Sequence, residues 1–158
     1  MSEEEKKEAA NKASREARSL VRAANKGALG TFDPHGFPLV TLVALATRED
    51  GAPLLLLSRI AGHTQNVMRN PRVSLMVEGP VSHKDPMLTE RLTIVGTLVP
   101  LEDTLRADSK RRFTQRHPSA EAYDTELDFS YFRLEVDHAR FNQGFGAFTR
   151  LRADQLVS

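Results

Sequence analysis

Five histidines could ligate a metal or shuttle a proton: His35, His63, His83, His117 and His138. No two stand four apart on a helical pattern, and no HExxH occurs, so a structural metal site is not expected. The chain has no cysteine, which removes disulfides, thiolate metal ligands and cysteine nucleophiles. No GxSxG, GxGxxG or P-loop is present, and Gly144-Phe145-Gly146 is too short to cradle a phosphate. Two places remain where the chemistry concentrates. The first is the turn Ser58–Thr64, where Gly62, His63 and Thr64 open a helix after a strand. Free backbone N–H groups and the helix dipole make such a start attractive to an anion, and the same residues also read as an ordinary helix cap. The second is Arg91, which follows a proline-containing loop and begins an apolar strand, where an arginine requires a polar or charged partner. The stripe Lys110, Arg111, Arg112 and Arg116 lacks interleaved aromatics and reads as a solvated helix face.

The elements that must position these residues are legible from patterning. Leu54–Val77 is the centre: an apolar run Leu54–Leu57 typical of a strand covered on both faces, the Ser58 turn, a short helix directing Val67 and Met68 inward, an Asn70-Pro71 stop, and a strand Arg72–Val77. Before it, Ser2–Asn25 reads as a helix. Ser2 and Glu5 form its capping box, and Ala9, Ala13, Ala17, Leu20, Val21 and Ala24 form its apolar stripe. Ala28–Phe32, an Asp33-Pro34-His35-Gly36 turn, Pro38–Thr47 and an Asp50-Gly51 turn into Pro53–Leu57 make successive hairpins. After it, Glu78–Glu90 reads as a connection and Arg91–Leu101 as a strand in which Gly96 marks a bulge or close approach. A helix from Asp103 or Thr104 to His117 follows. Then come a strand Phe129–Val136, an extended piece from Arg140, and a tail Ala153–Val157. About seven strands in hairpin succession with two or three helices predict an antiparallel barrel decorated by helices.

Composition agrees with that reading. The 158 residues suit one domain, 40% hydrophobic and 27% charged residues suit a globular chain, and a formal net charge of +1 gives no overall pull toward nucleic acid or acidic membranes. No apolar run approaches membrane-spanning length and the start is not a secretory signal, so the expected location is the cytoplasm.

Four segments in order, GFPLVTLVAL (Gly36–Leu45), LLLLSRIAGHTQNVMRNPRVSLMV, DPMLTERLTIVG (Asp85–Gly96) and FRLEVDHARFNQGFGAF (Phe132–Phe148), resemble the FMN-binding split-barrel superfamily of pyridoxamine-5′-phosphate oxidase. The nearer likeness is to its haem-utilisation (HugZ-like) branch, through Ser-x-x-x-x-His-Thr-x-Asn followed by Asn-Pro-Arg-x-Ser-Leu. The resemblance implies a mainly β fold: a six-stranded antiparallel split β-barrel over residues 26–158, preceded by an N-terminal helix over residues 1–25. It also implies a homodimer with FMN at the interface. Carried over residue by residue, the phosphate and ribityl contacts fall on Thr41, Leu42, Leu57, Ser58, His63 and Thr64, and a flavin contact falls on Arg91. The oxidase's stacking Trp falls on Asn142, its Arg-x-His substrate motif on Phe148-Thr149-Arg150, and a later FMN-contacting arginine on Arg152. Gly62-His63 stands where the oxidase has an Arg-Lys pair for phosphate, which departs from its pattern. The chain also stops short of the C-terminal domain that many haem-utilisation proteins carry. Three expectations follow: an FMN-dependent oxidoreductase acting on an unidentified small molecule; a haem-binding protein with His83 or His138 as possible iron ligands; or an interaction protein on a degenerate barrel.

Overall fold

The computed structural model describes residues 1–81, 84–125, 128–144 and 146–158. One antiparallel sheet runs β2-β1-β5-β6-β7-β4-β3, with β8 paired to β7. Its strands are β1 (Lys26–Phe32), β2 (Pro38–Ala44), β3 (Ala46–Thr47), β4 (Pro53–Ser58), β5 (Arg72–Glu78), β6 (Arg91–Pro100), β7 (Phe129–Gly144) and β8 (Ala147–Arg152). The sheet curls into a split barrel, so β2 at one edge approaches β4 near the other. Mainly β architecture with flanking helices is as expected, but the described residues form eight strands rather than six. The added strands are the two-residue β3 and the hairpin return β8. β3 exists because the expected Pro38–Thr47 strand breaks at Leu45, whose N–H is taken by the Asn25 carbonyl.

Among the described residues four α-helices flank the sheet: α1 (Glu3–Ala23), α2 (Gly62–Arg69), α3 (Arg106–Arg116) and α4 (Ala153–Leu156). The Ser2–Glu5 capping box forms as expected. Ala13, Ala17, Leu20 and Val21 of α1 enter the main core, which fills the concave side of the sheet with Leu29, Leu55, Leu57, Leu75, Leu92, Ile94, Leu134 and Phe141. The apolar run in β4 is covered on both faces as predicted. Leu55 and Leu57 join the main core, while Leu54 and Leu56 join a second cluster with Phe113, Ala120 and Tyr131 under α3. Met68 differs from expectation: it stands 66% exposed, because Val67 alone of the pair falls on the inward stripe of α2.

Under α3, Asp124 is wholly buried. Its carboxylate accepts a hydrogen bond from the Tyr131 hydroxyl at 3.0 Å, and the Lys110 ammonium lies 3.5 Å from its other oxygen. Burial, then this hydrogen bond and the negative charge behind it, push the Tyr131 phenol above its ordinary pKa. A raised folded-state pKa means the unfolded chain loses the proton first as pH rises. Stability is therefore intact below about pH 10 and declines above it. In a Tyr123→Phe variant, tyrosinate absorbance should stay absent above pH 10 until circular dichroism reports unfolding. Reversible ionisation in the folded protein would refute this.

Candidate functional site

The residues singled out by the sequence separate into two groups. The first surrounds the turn between β4 and α2. Ser58 does not face an open anion site: its hydroxyl donates to Asp128 Oδ2 at 3.1 Å and receives the Ile60 N–H at 3.4 Å. A carboxylate therefore already occupies the polar end of the turn. His63 begins α2 half-buried, and desolvation holds its imidazole below the ordinary pKa, so it is neutral at pH 7 and adds no charge for a phosphate. Thr64 is fully buried with its hydroxyl unpartnered among the described residues, and the hydroxyl of Thr41 on β2 is likewise unpartnered. Leu57 is a core residue. Asn66, to which sequence reasoning gave no role, fixes α2 to the sheet: its Nδ2 donates to Thr31 Oγ1 at 3.1 Å, and its Oδ1 accepts from Arg69 at 2.6 Å.

The second group lies on the convex face of the sheet. Arg91 Nη1 donates to the carbonyls of Met87 and Thr89 at 3.1 and 3.0 Å, so its partners are backbone oxygens of the preceding turn. Arg91 pairs with Asn142 across β6 and β7, and Asn142 in turn pairs with Phe148 on β8. Arg152 stands opposite His138 and is ion-paired to Asp154 at 3.0 Å. Leu42 is at the far edge of the same face, 72% exposed. His83 lies outside the described residues, as does Phe145 of the Gly144–Gly146 turn.

Register turns this face into a grid. One row crosses six strands as Val40, Gly30, Ser74, Val95, His138 and Arg152; the next crosses as Leu42, Ala28, Met76, Thr93, Arg140 and Arg150. Each row therefore begins apolar on β2 and β1, crosses Ser74 and Val95 or Met76 and Thr93, and ends in basic side chains, His138 with Arg152 and Arg140 with Arg150. Arg140 lies over the Phe148 ring at 4.7 Å, and neither Arg140 nor Arg150 has an acidic partner among the described residues. Acidic groups on the face include Glu78, opposite Arg91, Asp137, beside His138, and Glu135, opposite Thr97 and ion-paired with Arg133 at 2.9 Å. Over β2, β1, β5 and β6 is an open cavity of about 680 Å³, lined by Gly30, Val40, Arg72, Ser74, Val95 and, from β7, Asp137 among others. That volume is in the range of small-molecule and cofactor sites. Sequence reasoning missed Arg140 and Arg150 as site residues. Their signal is strand alternation: both share a face with Asn142 and Arg152, which it did select.

A family description, the CREG β-barrel, matches residues 7–157. The chain belongs to the CREG β-barrel family. A relative described as heme oxygenase HutZ, from Vibrio cholerae, is 30% identical over 133 residues, covering 82% of this chain and 75% of that protein. A chloroplast protein of Arabidopsis thaliana, described as the non-canonical heme oxygenase HOZ, is 29% identical over 131 residues, and the match covers 82% of this chain but only 40% of the plant protein. Among solved structures, a heme binding protein from Mycobacterium smegmatis superposes with a TM-score of 0.86 at 28% identity, covering 91% of this chain and 59% of that one. As a CREG β-barrel family member, the chain has relatives described by their handling of haem.

Proposed function

We propose that this chain is a haem-binding protein of haem utilisation, holding haem against the convex face of its sheet at the interface of a homodimer. The observation that carries the reading is the grid. Haem is a flat apolar macrocycle with two carboxylates on one edge, and the face offers an apolar half (Val40, Leu42, Ala28, Met76), small residues in the middle, and unpaired Arg140 and Arg150 at the other side. The descriptions of the bacterial, plant and mycobacterial relatives support the same ligand. Bound haem would supply a redox-active iron. The chain's own residues would desolvate the ring and hold its carboxylates.

The dimer rests on β2. Among the described residues this edge strand pairs with β1 alone, and Leu39 at 40%, Val40 at 66% and Leu42 at 72% are exposed on it. A free, apolar edge of this kind invites cover by another chain.

FMN is the second reading, favoured by the unpartnered hydroxyls of Thr41 and Thr64. Against it stand the neutral His63 and the Asp128 carboxylate at the turn where a phosphate dianion would need cations. Titration of the purified chain separates the two. Haemin should give a saturable Soret band near ~400 nm with one haem per subunit. Flavin bands near ~450 and ~370 nm on added FMN, without haem saturation, would reverse the assignment.

A further inference from the structure

We infer that His138 supplies the iron ligand through Nε2 and that Asp137 positions it. This inference rests on the haem reading above. It starts from Gly96. The register between β6 and β7 shifts there: Val95 pairs with His138 but Gly96 pairs with Val136, so Asp137 is an extra residue in β7. Only glycine fits, because a Cβ at position 96 would lie 2.0 Å from the Glu135 carbonyl oxygen. In an unbroken strand, neighbours in sequence point to opposite faces. The bulge removes that alternation and turns both Asp137 and His138 toward the convex side, where Asp137 lines the cavity and His138 sits beside Val95 in the central row of the grid.

Sharing a face lets the two side chains meet. His138 Nδ1 lies 2.7 Å from Asp137 Oδ2. The carboxylate fixes the proton on Nδ1, which leaves Nε2 as the lone-pair nitrogen, and Nε2 has no hydrogen-bond partner among the described residues. A carboxylate behind an imidazole orients it and raises its basicity, the arrangement found behind metal-ligating histidines. The imidazole side chain is 25% exposed, so it is reachable but held. Arg140 and Arg150 occupy the adjacent row, two residues further along each strand, where the carboxylate edge of the same macrocycle would fall. The bulge thus places a ligand nitrogen and its orienting acid on the convex face, with Asp137 at the cavity and Arg140 and Arg150 in the neighbouring row of the grid.

The test uses the full chain loaded with haemin and read by spectroscopy. Ferrous wild-type protein should show an iron–imidazole stretch in resonance Raman. His138→Ala should lose that stretch, bind haemin about tenfold or more weakly, and recover its spectrum on adding free imidazole. Asp137→Asn should retain haem but shift the iron–imidazole stretch down and the reduction potential up, because the imidazole becomes less basic; a merely structural residue would move neither. Circular dichroism of both variants guards against misfolding. Haem uptake by wild type with an unchanged iron–imidazole signal in His138→Ala would overturn the ligand assignment and leave the haem reading intact. No haem uptake by wild type would withdraw the haem reading and this inference together.

Discussion

Replacing Gly96 by valine should lower the melting temperature by roughly 6–12 °C, from a stability loss of about 3 kcal/mol. The Cβ of any larger residue would fall 2.0 Å from the Glu135 carbonyl oxygen, 3.0 Å from its carbonyl carbon and 3.0 Å from the Leu134 side chain. Backbone cannot move aside there as a flexible side chain would, because β6 and β7 share the longest ladder in the sheet, from Arg91–Asn142 to Pro100–Phe132. The change should therefore either separate the strands at the bulge or force the register to slip, and a slip of one residue turns alternate side chains to the wrong face. Gly30→Ala is the control: it lies in the same sheet on the opposite, convex face, its nearest neighbour to an added Cβ is the Ser74 carbonyl oxygen at 3.6 Å, and it should change stability by less than about 1 kcal/mol. Thermal denaturation of the two variants beside wild type checks both. Equal melting temperatures for Gly96→Val and wild type would mean that the bulge is not the constraint described.

The double variant Val40→Glu/Leu42→Glu should be a folded monomer. Both side chains are mostly exposed in the single chain, so their loss should leave the monomer's stability within about 0.5 kcal/mol. In a two-fold dimer each position is used twice, and burial of each such side chain is worth about 1.5–3 kcal/mol, so the dissociation constant should rise at least ~100-fold. Light scattering behind size exclusion reads the mass directly. A monomeric wild type at micromolar concentration, or a variant that still dimerises, would refute the proposed interface.

The fold was largely readable because its signals are local. The capping box of α1, the Asp33 turn with Gly36 at φ 85°, the Gly51 turn at φ 89° and the Asn70-Pro71 stop each have a short-range cause, and each occurs as read. The convex face was readable only in part. Its rows join residues of six strands, and no single stretch of sequence records which residue of β2 aligns with which of β8. The bulge left one trace. Leu134 and Val136 face the core at a spacing of two, but the next core residues are Ala139 and Phe141, so the alternation slips by one. Sequence reading took that slip as a break and divided a 16-residue strand into two pieces. Arg91 was selected as a cation needing partners and hence a ligand candidate; the partners it has are the carbonyls of its own preceding turn, which no charge pattern reveals. Met68 was misassigned because an eight-residue helix gives too few turns to fix where its apolar stripe ends.

The docking of α1 sets an order of events during synthesis. The Ser14 hydroxyl and Arg18 Nε both donate to the Gln155 carbonyl, and Arg18 Nη2 donates to the carbonyl of Asp154, ties that span 136 to 141 positions of chain. Its apolar stripe rests on strands from most of the barrel. A helix that precedes every strand of the barrel in the chain is thus among the last elements to be seated. For most of translation its alanine–leucine stripe has no complete surface to rest on. Contacts of such long sequence separation are slow to form, and the interval before they form is when nascent apolar surface is open to chaperones or to self-association.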